Sequence, residues 1–405
     1  MLHSAITIAL AAIVSVSIAT QDITVSNVTN TKAISDSYII SYRPSVSIPQ
    51  INQHQNAIHA ITKARNSSMK GITASFDLNS FKAYSVQTDL DTLKEIAQSP
   101  LISSIEQDGV VNISYYINQP NADWDLTRIS HRYPNSNTSY TYDNTAASGS
   151  QAYVLDTGIL LDHSEFQGRA MWGANFIPGA PDTDDNGHGT HCAGSLGGKT
   201  YGVAKNTTLI AVKVLDSTGS GSYSSVISGL EWVINDASTN GMIQNSVISM
   251  SLSGGYSAAL NAAVDAAYLV GLSVIVAAGN NGADAGSYSP SSAQYAITVG
   301  ATDSSDTRAS WSNYGSTITI FAPGVGILSA WNNCNTCVAV QSGTSMATPH
   351  VAGMAVYLFA KDGAKNPAAL TELLTYLSIT GVVKNAGPGT TQDLLFNGNG
   401  DNGGH

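Results

Sequence analysis

Beyond residue 121 the chain alternates near-continuous apolar runs with stretches that read as helices. QAYVL (151–155), TLIAVKV (208–214), SVISM (246–250), LSVIVAA (272–278) and YAITV (295–299) contain few polar positions. Strands buried on both faces read this way, whereas half-exposed strands alternate. Residues 223–238, 257–270 and 345–361 are predicted helices. The alternation predicts an α/β domain with a mostly parallel central sheet. In such sheets catalytic and ligand-binding groups gather at the carboxyl ends of the strands, so the polar residues that close the runs are the first candidates for chemistry.

From about Ser35 to Ser114 the pattern is different. SYIISYRP, INQHQNAIHAITKA, ITASFDL, FKAYSVQT, LDTLKEIAQ and ISSIEQDGVV give strand, helix, two strands, helix, strand. In the second helix Leu90, Leu93, Ile96 and Ala97 are expected to share an apolar face. Two helices on a four-stranded sheet predict a small α+β ferredoxin-like unit. Its place between a leader and a larger domain marks it as a cleaved prosegment, the alternative being a small independent domain. The leader is MLHSAITIALAAIVSVSIAT, with small residues at Ser17 and Ala19. Its apolar core is shorter than the ~20 residues of a membrane span, so it reads as a signal peptide. The tail from Asn397, NGNGDNGGH, has no apolar content and is expected to be flexible. The predicted organisation is therefore signal peptide 1–19, propeptide 20–117 with its folded part at about 35–114, main domain 118–396 and tail 397–405.

Composition then removes several classes of function. The 405 residues are 43% hydrophobic and 11% charged, with net charge −11 and pI about 5.1. A polyanionic partner such as nucleic acid is disfavoured, and no later segment is apolar enough to cross a membrane. Sequons at Asn27, Asn66, Asn112, Asn137 and Asn206 agree with a secretory route. The chain is expected to be secreted and extracellular, with no membrane association.

The candidate chemistry starts at SGTSMATPH, residues 342–350, where Ser345 precedes an apolar helix. A serine there is an ordinary N-cap or a nucleophile, and the second reading needs partners. Asp156 closes the strand QAYVL, where an orienting carboxylate belongs. His188 lies between glycines in DDNGHGTHCAG. His188 and His191 are spaced i and i+3 without an intervening glutamate, unlike the i and i+4 pair of H-E-x-x-H zinc proteases. No metal site is predicted. An α/β-hydrolase would need G-x-S-x-G, and Ala347 stands at the last position.

Residues 121–395 resemble the subtilisin-like serine proteases, and in detail the proteinase K group. NGHGTHCAG, YGVAK, VKVLD, GSGSY, MSLSGGYS, AAGNNGADA, YSP, SNYGS and SGTSMATPHVAG stand in that family's order. The resemblance implies a subtilisin-like three-layer fold and a serine endopeptidase made as a zymogen, acting on protein and peptide substrates, with Asp156, His188 and Ser345 as the triad. Ser345 would be the nucleophile, His188 the general base and acid, and Asp156 the group that orients the imidazole. Asn280 would supply a side-chain oxyanion donor beside the Ser345 N–H at its helix N-terminus. Pro349 is expected in or near the first turn.

By the same resemblance Gly219, Ser220 and Gly221, with Ser251, Leu252, Ser253 and Gly254, are two edges between which an extended peptide adds as a strand. Ala277, Ala278 and Gly279 would line an uncharged S1 pocket, implying cleavage after apolar or aromatic residues, and Tyr223 would rim S4. The propeptide would be chaperone and inhibitor, cut off near residues 115–121, and the enzyme a monomer. No cofactor is required for catalysis. A structural calcium is possible, but Thr319 stands where relatives place an aspartate. Cys192 is expected to be a buried free thiol. Cys334 and Cys337, in an apparent insertion NNCNTC, form a short-loop disulfide, remain reduced or bind metal.

Overall fold

The computed structural model describes residues 25–26, 33–65, 69–110, 115–134, 138–144, 147–363 and 366–399. The predicted signal peptide and the sequons at Asn27, Asn66, Asn112 and Asn137 lie outside the described residues. The chain divides after Asn112 into two compact units.

In the smaller unit β1 (Val25–Ser26) and β2 (Ala33–Tyr42) are followed by α1 (Ile48–Ala64), β3 (Gly71–Leu78), β4 (Phe81–Gln87), α2 (Leu90–Ala97) and β5 (Ile102–Gly109). The sheet order is β1-β5-β2-β4-β3. Its four long strands have the ferredoxin-like order, and β1 adds a short parallel edge. Tyr38, Ile40 and Tyr42, at the two-residue period of a strand, pack with Ile58, Leu93 and Ile96 of the helices. Leu90 does not join them: it is 63% exposed. Asp89 caps the helix by accepting the Thr92 N–H at 2.7 Å, so Leu90 is the first helical residue and stands off the packed face.

The larger unit opens with β6 (Tyr116–Pro120), α3 (Trp124–Ile129) and β7 (Ser139–Asp143), β6 pairing antiparallel with β7. Tyr116 and Ile117 thus already belong to this strand, two residues ahead of the expected start at 118. Next come β8 (Gln151–Asp156), β9 (Ala170–Asn175), α4 (His188–Gly197), β10 (Thr208–Lys213), α5 (Tyr223–Thr239), β11 (Ser246–Met250), β12 (Gly254–Gly255), α6 (Ala258–Leu269) and β13 (Ser273–Ala277). They are followed by β14 (Tyr288–Ser289), β15 (Ile297–Thr302), β16 (Ile320–Pro323), β17 (Ile327–Ala330), β18 (Val338–Gln341), α7 (Thr344–Asp362) and α8 (Pro367–Leu377).

Seven strands form one parallel sheet in the order β16-β15-β13-β11-β8-β10-β9. Alternate residues of each strand enter different cores. Val154, Val247, Ile275 and Val299 pack with α4 and α7, while Tyr153, Leu155, Ile248 and Val274 pack with α5 and α6. This is a three-layer α/β/α arrangement, and it explains the continuous apolar runs, since both strand faces are covered. Each buried Val or Ile side chain contributes about 1.5–3 kcal/mol relative to exposure.

The tail departs from expectation. Asn397 and Asn399 are buried. The Asn397 N–H donates to the Ile129 carbonyl at 2.9 Å, its side-chain amide donates to the Thr141 carbonyl at 2.8 Å, and Asn399 reaches the same carbonyl. Polar residues are held inside because their amides are satisfied by the backbone around α3 and β7. The ordered domain therefore continues to Asn399, and residues 400–405 lie outside the described residues. Among the described residues no helix is long and apolar enough to cross a membrane.

Candidate active site

Asp156 is the last residue of β8, an interior strand of the sheet, and is fully buried. Its Oδ1 accepts the Thr157 N–H and stands 2.7 Å from His188 Nδ1. His188 is the first residue of α4, and Asp184 sets that helix start. One Asp184 oxygen accepts from the Thr157 hydroxyl and the Asn186 and Gly187 N–H groups; the other accepts from the Thr190 N–H and hydroxyl. Gly187 caps the helix at φ 115°, and a Cβ there would sit 2.6 Å from the Trp331 ring. Only glycine fits.

Burial disfavours the charged imidazole of His188, but the Asp156 carboxylate beside it outweighs that penalty and holds its pKa well above the usual histidine value. Cys192, one turn on, is pushed upward chiefly by burial and is a neutral thiol. Its sulfur is 3.9 Å from His188 Nδ1. His191 points elsewhere. Its Nε2 is 3.1 Å from both the Ile327 and Ala339 carbonyls, so that nitrogen carries the proton, and burial brings its pKa down to about 4. The two histidines of HGTH do not converge on a metal.

Ser345 is the second residue of α7. Its hydroxyl donates to the Ser251 carbonyl at 3.1 Å, and the Ser251 hydroxyl donates back to the Ser345 carbonyl at 2.9 Å. Pro349 is the sixth residue of α7, just past its first turn. A proline at i+4 leaves the Ser345 carbonyl without its helical rung. Ser251 Oγ and Cys192 Sγ, at 3.4 Å, supply the missing donors. That substitution makes the interior proline tolerable.

Asn280 follows β13 and is exposed. Its Oδ1 accepts both the N–H and the hydroxyl of Thr344 at 2.9 Å. With the oxygen committed, the NH₂ end is left for the cleft. Thr344 also accepts the Gly279 N–H at 3.1 Å, tying the strand end to the start of α7.

His188, Asn280 and Ser345 line one cleft of about 1070 Å³. Gly219, Ser220, Gly221, Tyr223, Ser251, Leu252, Ser253, Gly254, Ala277 and Gly279 line it as well. Ala278 does not. It turns into a separate apolar cluster with Ala285 and Phe321, and its carbonyl accepts from Asn313 Nδ2 at 2.8 Å. Successive residues of an extended segment face opposite ways, so 277 and 279 exclude 278. The Tyr223 hydroxyl donates to the Gly255 carbonyl at 2.7 Å, bridging the two edges. The cleft also includes Asn186, Leu215, Val226, Tyr288 and Thr344, which sequence reasoning missed. Asn186, Leu215, Tyr288 and Thr344 lie within the quoted motifs NGHGTHCAG, VKVLD, YSP and SGTSMATPHVAG, whereas Val226 carried no signal.

Cys334 and Cys337 are disulfide-bonded, and Cys192 is free and buried. The Thr319 hydroxyl accepts the Thr298 N–H at 3.1 Å, committing its oxygen to the backbone. Among the described residues, the group of acidic, histidine and cysteine side chains close enough to bind a metal is Asp156, His188 and Cys192, the site itself.

The Subtilase family profile matches residues 150–395, and the Peptidase inhibitor I9 profile matches residues 37–114. Subtilisin-like protease 2 of Pseudogymnoascus destructans is 50% identical, with 91% of this chain and 90% of that one covered. The alkaline proteinase of Hapsidospora chrysogena is 44% identical over 91% of this chain and 93% of its own length. The crystal structure of a cold adapted subtilisin-like serine proteinase covers 68% of this chain and 98% of its own, at 45% identity and a TM-score of 0.65.

Proposed function

Since the chain belongs to the subtilase family of serine proteases and carries an inhibitor I9 propeptide, we propose that it is a secreted, monomeric, broad-specificity endopeptidase that cuts itself from its propeptide and needs no cofactor. The reading is carried by one arrangement: an Asp156–His188 contact of 2.7 Å opening into the cleft that holds Ser345 and the Asn280 amide.

A serine hydroxyl alone is too weakly acidic to attack an amide. In the proposed mechanism His188 Nε2 takes the proton as Ser345 Oγ bonds to the substrate carbonyl carbon. The carbonyl oxygen becomes an anion held by the Ser345 N–H and Asn280 Nδ2, aided by the α7 dipole. The imidazolium returns its proton to the leaving nitrogen, the C–N bond breaks, and an acyl-Ser345 ester remains. Water, deprotonated by the same imidazole, attacks the ester, and the proton passes back to Ser345 on collapse. Asp156 fixes the Nδ1–H tautomer and stabilises the imidazolium in both halves.

The substrate lies extended between segments 219–221 and 251–254. Ala277 and Gly279 present no charge to the P1 side chain, which favours apolar or aromatic residues there. The experiment is casein hydrolysis by the purified mature enzyme, with and without a serine-directed fluorophosphonate. Hydrolysis abolished in step with labelling supports the proposal. Undiminished hydrolysis by fully labelled protein overturns it.

A further inference from the structure

The buried Asp125–His350 pair belongs to neither the triad nor the cleft wall, yet it grips the helix that carries Ser345. His350 lies on α7 five residues after Ser345, and Asp125 lies in the first turn of α3; both are buried. His350 Nδ1 is 2.8 Å from the Met346 carbonyl, and Nε2 is 2.9 Å from Asp125 Oδ2. A carbonyl oxygen only accepts, so Nδ1 carries a proton. A second proton lies between Nε2 and Oδ2, since two bare lone pairs at that distance repel. Written as imidazolium with carboxylate or as imidazole with carboxylic acid, the pair is neutral overall, which is how the interior accommodates it. Asp125 Oδ1 has no hydrogen-bond partner among the described residues. His350 is therefore what anchors this carboxyl group.

Both ends of the pair lead to the nucleophile. Met346, whose carbonyl takes the Nδ1 proton, is the residue after Ser345. Its side chain packs with Cys192 and Ile327, and Trp124, next to Asp125, lies against the same cluster. Residues 124 and 125 thus support the first turn of α7 through an indole and through a hydrogen-bonded acid–imidazole pair. That turn needs outside support, because Pro349 removes the rung that would close on the Ser345 carbonyl.

We propose that Asp125, acting through His350, is a positioning residue that holds Ser345 and its N–H in register with the oxyanion site. The inference rests on Ser345 being the nucleophile. A positioning role predicts a loss in kcat rather than in substrate binding, because small displacements of a reacting atom are costly to the chemical step.

The test compares wild type, Asp125→Ala and Asp125→Asn on a chromogenic peptide, with active-site-titrated enzyme and melting temperatures recorded alongside. Asp125→Ala should lower kcat about tenfold or more with KM within about twofold. Asp125→Asn, whose amide can donate to Nε2 of a neutral imidazole, should recover most of the loss. If the alanine variant fails to fold or mature, Asp125→Ser replaces it, being polar but too short to reach Nε2. Full kcat in Asp125→Ala or Asp125→Ser, whatever the melting temperature, overturns the proposal. So does an asparagine variant as slow as the shortened ones. Fluorophosphonate labelling of wild-type Ser345 in the same series separates the two readings: a labelled Ser345 with unchanged variant kcat removes the positioning role alone.

Discussion

Asn280 does two jobs with one amide. Its oxygen accepts two hydrogen bonds from Thr344 at the start of α7, which fixes the orientation of the nitrogen that would meet the oxyanion. Asn280→Ala should lower kcat by about 10²–10³ with KM little changed, the cost of losing the equivalent donor in subtilisin, a member of the same family. Steady-state kinetics on a peptide anilide measure it, and a loss confined to KM would contradict the assignment. In the proposed mechanism His188 sets the pH range. Burial opposes its charged form, the Asp156 carboxylate raises its pKa, and the deprotonated ring is the base. Activity should therefore fall as pH drops through a value above 6.5, the ordinary histidine figure. Asp156→Asn removes the carboxylate that does most to raise the pKa and leaves the burial that lowers it. The acid limb should then move to lower pH while kcat falls about 10⁴. A pH–rate profile with an unmoved limb would assign it to another group. The proposed triad and Asn280 could be named from the sequence because each sits in a local motif. Asp184 stands in one of those motifs, but residue type alone does not show that its carboxylate collects the N–H groups of residues 186, 187 and 190; the role proposed for Asp125 depends on His350, which only folding brings near.

Helices α4 and α7 meet at Cys192, the buried free thiol that the sequence led us to expect. Its thiol is 3.4 Å from the Ser345 carbonyl that Pro349 leaves open and 3.9 Å from His188 Nδ1. A mercurial small enough to reach it should displace the imidazole and inhibit, whereas bulky alkylating agents should react slowly. The check is residual activity after mercurial treatment of wild type and Cys192→Ala. The variant should be resistant, and equal inhibition of both would place the sensitive thiol elsewhere. The elements themselves were largely readable. The five long apolar runs became β8, β10, β11, β13 and β15, since strands covered on both sides have a signature that survives without context. The edge strands β9 and β16 were missed, one for its mixed exposure and the other for its four-residue length. Helix α8 was overlooked despite a start signal in Asn366-Pro367, where the Asn366 side chain accepts the Ala369 N–H at 2.8 Å. Asn397 and Asn399 were misread because composition records polarity and not whether a partner waits inside.

For the whole molecule the account links catalysis to maturation. Ser345→Ala should leave the propeptide attached as well as removing activity, with kcat down about 10⁶, the order measured in subtilisin. Secretion from a host free of other proteases followed by intact-mass analysis reads this directly, and a normally processed N-terminus would show that another protease makes the cut. Calcium should matter little at the position of Thr319, whose hydroxyl already accepts the Thr298 N–H. A metal stabilises only through affinity for the folded state, so the melting temperature of serine-inhibited enzyme should differ by less than about 2 °C with calcium or chelator. A large drop on chelation would mean that other residues bind the ion. The central claim is that Ser345 becomes acylated with His188 as its base. Its most direct test is to mix the enzyme with an activated ester, quench in acid during the burst, and locate the acyl group by peptide mass mapping. The account predicts acyl mass on the peptide containing Ser345 in wild type and its loss in His188→Ala. Acyl mass on Cys192 or any other residue, or undiminished labelling of Ser345 without His188, would contradict it.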